Sequence, residues 1–128
     1  MKKFIIICFF SFGVYAQDDC NNITDSNQAY VCSYQKKDEV SLKLKKEYEL
    51  YISEINKSYS ADIVLGNKLL EKVKMSQSKW IEYMNSTCDV YAFHIEENSR
   101  THSFAINNCI SDMTEKRIHE ISQMIGNI

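Results

Sequence analysis

The chain has no proline and only three glycines among its 128 residues. Folds built from many short strands need such residues at their turns, so their scarcity argues against an all-β architecture and favours long helices. No Cys-x-x-Cys pair occurs, which removes the usual spacing of zinc and thiol-redox sites. There is no glycine-rich phosphate loop, and neither sign of charge dominates, with 17 acidic residues against 15 basic ones. The chain therefore carries no cofactor or metal motif, and its charge argues against nucleic acid as a partner.

What is present begins at the N-terminus. Lys2 and Lys3 precede a short apolar stretch from Phe4 to Val14, the pattern of a secretory signal peptide. The stretch is too short to span a bilayer, although the alternative of an uncleaved anchor shares the same residues. Val14 and Ala16 suit signal peptidase, which places the expected cut between Ala16 and Gln17. A lipid anchor would need a cysteine directly after the apolar stretch, whereas Cys20 follows Asp18 and Asp19. The expectation is a leader over 1–16 and a mature helical domain over 17–128, secreted or periplasmic and without stable membrane insertion.

Removing the leader takes away Cys8 and leaves Cys20, Cys32, Cys88 and Cys109. An even number in an exported chain points to two disulfides. Cys20 with Cys32 and Cys88 with Cys109 is the favoured pairing, because each would clamp a leading segment onto the helix that follows. The rival pairs Cys32 with Cys88 and Cys20 with Cys109, since a turn near residue 60 would bring Cys32 and Cys88 to similar heights. Removal of Lys2 and Lys3 leaves 13 basic and 17 acidic residues, a net charge of -4. A domain of this size holds one core, and a bridge worth ~2–4 kcal/mol is a large part of a total stability of ~5–15 kcal/mol.

Three stripes at helical spacing follow. Tyr34, Lys37, Ser41, Leu44, Tyr48, Tyr51 and Ile55 define a first helix over about 26–59, capped by Asp25 or Ser26. Leu65, Leu69, Val73, Gln77, Trp80, Met84 and Cys88 define a second over about 62–88, with Gly66 as a soft spot that could delay its start. Ile106, Ile110, Met113, Arg117, Ile121 and Met124 define a third over about 103–125. The periodicity fails from Asp89 to His102, which reads as loop. The fold class is all-α, a small antiparallel three-helix bundle stapled by two disulfides.

Cys20 and Cys32, then Leu44 and Tyr48, then the run Gln77-Ser78-Lys79-Trp80-Ile81-Glu82-Tyr83 with Cys88, and finally Cys109, Thr114 and Arg117 resemble the LprI-like family, the lysozyme inhibitor LprI N-terminal domain. The resemblance covers nearly the whole mature chain. It departs from the family pattern at Ser41, Lys45 and Met84, and at the glycine-free segment Asn98 to Ser103. It implies an exported helical domain with a protein partner, lysozyme or a related cell-wall lytic enzyme. The alternative is an envelope structural or interaction protein of the same scaffold without lysozyme inhibition, because a shared fold does not transfer function by itself.

Individual residues sharpen these expectations. Trp80, the single tryptophan, reads first as core packing and second as a binding anchor. Arg117 interrupts an apolar seam, so it should pair with a carboxylate or with helix-end carbonyls if buried. Gln77 should bond to a neighbouring helix or backbone. The loop holds His94, Arg100 and His102, which could engage the catalytic carboxylates of a glycosidase cleft; the bland reading is a solvated connector. Several tyrosines along the first helix could form an aromatic contact surface or simply fill the core. No nucleophile stands beside a base in a recognised arrangement, and the expectation is a binding protein, not an enzyme.

Overall fold

The computed structural model describes residues 20–128; the expected leader and its cleavage site lie outside the described residues. Three helices follow in order: α1 Ser26–Ser58, α2 Ile63–Ala92 and α3 Arg100–Ile125. Each starts at a side-chain cap that accepts a hydrogen bond from an otherwise unpaired backbone N–H. Asp25 accepts from Gln28 at 2.8 Å, Asp62 from Leu65 at 3.0 Å, and Ser99 from His102 at 3.0 Å. Such caps are worth ~1 kcal/mol each, and they set the starting register of the helices.

The helix ends differ from expectation around the second connection. The buried series Met84, Cys88 and Ala92 carries the four-residue step one turn beyond Cys88, and Ser99 caps α3 three residues earlier than the loss of apolar periodicity suggested. The irregular segment thus shrinks from Asp89–His102 to 93–99. Asn98 occupies the left-handed region with φ 63°, a conformation that asparagine tolerates better than most residues and that helps reverse the chain.

Cross-helix contacts establish the directions. Asn27 meets Arg100, Ser33 meets Asn107, and Lys36 lies near Asp112 and Glu115, so α1 and α3 run parallel. Thr114 meets Met84 and Arg117 meets Gln77 and Ser76, so α2 runs antiparallel to α3. Contact is most extensive between α1 and α3 and least between α1 and α2, which makes α3 the central element. Its buried residues include Ala105, Asn107, Ser111 and Thr114. Small side chains let neighbouring helices approach, and their polar atoms are satisfied: Ser111 Oγ donates to the Asn107 carbonyl within α3, and Asn107 Nδ2 donates to Ser33 Oγ across to α1.

Tyr51, Ile55, Val73 and Ile121 form the main apolar cluster, with Leu44, Tyr48, Leu69 and Met124 packed against it. The first half of the α1 stripe is displaced by one residue from the expected one. Ser33 and Val40 are buried, whereas Tyr34 and Ser41 are exposed. With 3.6 residues per turn, one seven-residue step from Ser33 to Val40 stays on the face that meets α3.

Cys20 is bonded to Cys32 and Cys88 to Cys109, with Cα separations of 5.5 and 5.6 Å. The first bridge ties the segment before α1 to the second turn of that helix. The second joins the C-terminal part of α2 to α3, and Cys88 is almost fully enclosed. Gly66 does not delay α2. It is buried within the helix, where an added Cβ would lie 2.8 Å from Tyr59 Cβ, so the missing side chain admits the preceding turn.

Candidate functional site

Two regions hold the residues singled out by sequence. The first lies at mid-bundle, where Arg117 of α3 is buried to 9% exposure. Its Nε donates to Gln77 Oε1 at 3.1 Å, one terminal nitrogen donates to Glu120 Oε2 at 3.0 Å, and the other donates to Ser76 Oγ at 3.3 Å. The guanidinium carbon also stands 5.6 Å from the centre of the Trp80 ring, within cation–π range. The carboxylate partner anticipated for Arg117 is Glu120, one turn along the same helix; Gln77 bonds to the neighbouring helix, as expected.

Trp80 is half-buried beneath this network, so packing against Arg117 accounts for its position. Leu44 and Tyr48 pack on the apolar cluster. Thr114 is buried, with its hydroxyl 3.8 Å from Met84 Sδ. Tyr83 is exposed and stands outside the assembly. Burial raises the Tyr48 phenol above the ordinary tyrosine value.

Beside Arg117 runs a groove of about 190 Å³ lined by Tyr48, Tyr51, Lys72, Val73, Ile121 and Met124 among others. Drug-sized ligands generally occupy pockets of about 300–1,000 Å³. This groove is below that range, and its cation is already bonded three times.

The second region is the α2–α3 end. Arg100 is the first residue of α3, and it donates to Asn27 Oδ1 at 2.7 Å. His102 sits half-buried in the first turn of α3. It borders a depression shared with Asp89, Phe93 and Glu97. His94 stays in the connection, its ring edge-on to Phe93 at 5.3 Å. Thus one of the three candidate loop residues lies in the loop itself, and two lie on the helix that follows.

Sequence reading passed over the neighbours of these residues. Val90, Tyr91 and Phe93 are 76%, 69% and 78% exposed. The signal was available: once Met84, Cys88 and Ala92 are taken as the buried step, Val90, Tyr91 and Phe93 fall off that line. Among the described residues, Asp89, Glu96 and Glu97 form no ion pair.

This geometry defines a helical scaffold with one disulfide before α1 and a second joining α2 to α3. Residues 20–121 match the family described as lysozyme inhibitor LprI, and the chain belongs to that family. An uncharacterized protein of Rhizobium meliloti (strain 1021) is 23% identical over 115 residues, spanning 85% of this chain and 80% of that protein. The crystal structure of a DUF1311 family protein from Pseudomonas putida KT2440 is similar in fold, with a TM-score of 0.71 at 18% identity, covering 80% of this chain and 94% of the other. No helix among the described residues is long and apolar enough to cross a membrane.

Proposed function

We propose that this protein is exported as residues 17–128 and acts by binding a protein, inhibiting lysozyme or a related cell-wall lytic enzyme. The observation that carries the reading is the family match over residues 20–121, which takes in both disulfides and most of the three helices. Two bridges suit an oxidising compartment, where a thiol-rich chain becomes a rigid module. Rigidity matters for inhibition, because a binding face that is already ordered loses less conformational entropy on association.

His94, Arg100 and His102 are the candidate donors toward the catalytic carboxylates of such an enzyme. The role of this chain is to occupy its partner, and it carries no reaction of its own.

The test is to add the purified, oxidised protein to lysozyme acting on isolated cell walls. A dose-dependent fall in lysis is expected. Full lysis at a large excess of protein would overturn the reading and leave an envelope interaction protein on the same scaffold. Replacing Arg100 and His102 with alanine should weaken inhibition; unchanged potency would remove these side chains from the contact.

A further inference from the structure

Large apolar side chains are exposed at both ends of the bundle, and charge separates the two. At the start of α2, Ile63, Val64 and Leu65 are 68%, 68% and 50% exposed. The surrounding segment 57–74 holds Lys57, Lys68, Lys72 and Lys74 against Asp62 and Glu71, and Lys57 is paired with Glu54 at 3.7 Å. At the other end, Val90, Tyr91 and Phe93 stand in a segment, 89–104, that holds Asp89, Glu96 and Glu97 against Arg100 alone. That guanidinium is already bonded to Asn27. A helix of α2's length spans about 45 Å, several times the Debye length of about 8 Å at physiological salt, so the charge at one end is screened from the other.

Building on the inhibitor reading, we propose that the α2–α3 end is the surface that docks a cationic lysozyme. Tyr91 and Phe93 are the apolar anchors, and Asp89, Glu96 and Glu97 engage lysine or arginine side chains of the enzyme. Three observations converge. The anchors are aromatic, the residue class enriched among binding hot spots. They border two neighbouring depressions, one formed with Ile95, Thr101 and Phe104 and the other with Asp89, Glu97 and His102. The carboxylates have no ion-pair partner among the described residues, and Asp89 occupies the last turn of α2, where the helix dipole disfavours an anion. A cation supplied by the partner would relieve that unfavourable placement. The end around Ile63 lacks such an acidic excess, since its lysines are offset by Glu54, Asp62 and Glu71.

Affinity for a cationic lysozyme and inhibition of its lytic activity are measured side by side on the full mature chain with both disulfides formed. Replacing Tyr91 and Phe93 together with serine should weaken binding by about tenfold or more. The isosteric pair Glu96→Gln and Glu97→Gln should weaken it several-fold at low salt, with the difference shrinking at high salt. Ile63→Ser with Val64→Ser should change affinity by less than about twofold, since it lies outside the contact. Circular dichroism checks that each variant keeps its helices; the glutamine pair preserves shape and serves if the serine pair fails to fold.

If wild-type protein inhibits while both tip variants keep full affinity, this assignment is overturned and the inhibitor reading stands. If it binds through the tip without inhibiting, the surface holds and the inhibitor reading is overturned. If it neither binds nor inhibits, both are overturned.

Discussion

Arg117 and Gln77 stand 40 positions apart in sequence and meet across α3 and α2, Nε to Oε1, at 3.1 Å. The contact turns two polar interruptions of apolar stripes into one satisfied pair. With Ser76, Glu120 and the Trp80 face completing the shell, a buried cation becomes compatible with a small core.

Arg117→Ala should therefore cost about 2–4 kcal/mol, since it removes charge-assisted bonds and leaves a void between helices. Arg117→Lys should retain part of this, because a lysine ammonium lacks the planar fork that reaches Gln77 and Ser76 together. Urea unfolding with the disulfides intact measures both. A loss below about 0.5 kcal/mol for the alanine variant would mean the network contributes no more than an ordinary surface contact.

Gly66→Ala is expected to run against helix propensity. In an open helix the change would add up to ~1 kcal/mol, but here the new Cβ meets Tyr59 Cβ at 2.8 Å, and overpacking of this kind costs ~1–3 kcal/mol. The clash should win, lowering the unfolding midpoint. In a Tyr59→Ala background the same substitution should become neutral or stabilising, which isolates the cause.

The two bridges should contribute unequally. Loop-closure entropy alone assigns about 3 kcal/mol to each, with little difference between separations of 12 and 21 residues. Cys88–Cys109 joins two packed helices, and Cys88 is 1% exposed, whereas Cys20–Cys32 ties down a surface segment. Replacing Cys88 and Cys109 with alanine should lower global stability more. Loss of Cys20–Cys32 should increase amide exchange mainly at the start of α1. Equal thermal unfolding with and without reductant would contradict both statements.

Tyr48 supplies an alkaline limit. Burial favours its neutral phenol, so its folded pKa lies above the unfolded value of about 10. Its contribution is complete below the unfolded pKa. As pH rises through the interval up to the folded pKa, the unfolded chain gives up its proton first and stability falls. Tyr48→Phe should flatten this part of the stability profile, as read by denaturant unfolding at a series of alkaline pH values. An unchanged slope would remove Tyr48 as its source.

Helix class, helix number and the favoured disulfide pairing were legible without coordinates. Few turn-forming residues, stripes repeating every three or four positions and four cysteines flanking two helix starts are local patterns, and local patterns act through the backbone itself. The candidate site was less legible. Arg100 and His102 read as loop because apolar periodicity stops before them; Ser99, a cap whose effect depends on the helix that follows it, brings them into α3.

By itself the amino-acid order determined an all-helical chain with the cap at the start of α1 and the spacing of its sulfurs, because those depend on neighbours within a turn or two. Tertiary packing alone decided which face of α1 is buried, why Gly66 must lack a side chain, how Arg117 is neutralised, and which aromatic groups remain in water at the α2–α3 end. The buried face of α1 and the bonds from Arg117 to Gln77 and Ser76 depend on a helix arriving from elsewhere in the chain, and the crowding of Gly66 by Tyr59 depends on how α1 turns into α2, because the approach of two surfaces is set by the shapes and charges of both together.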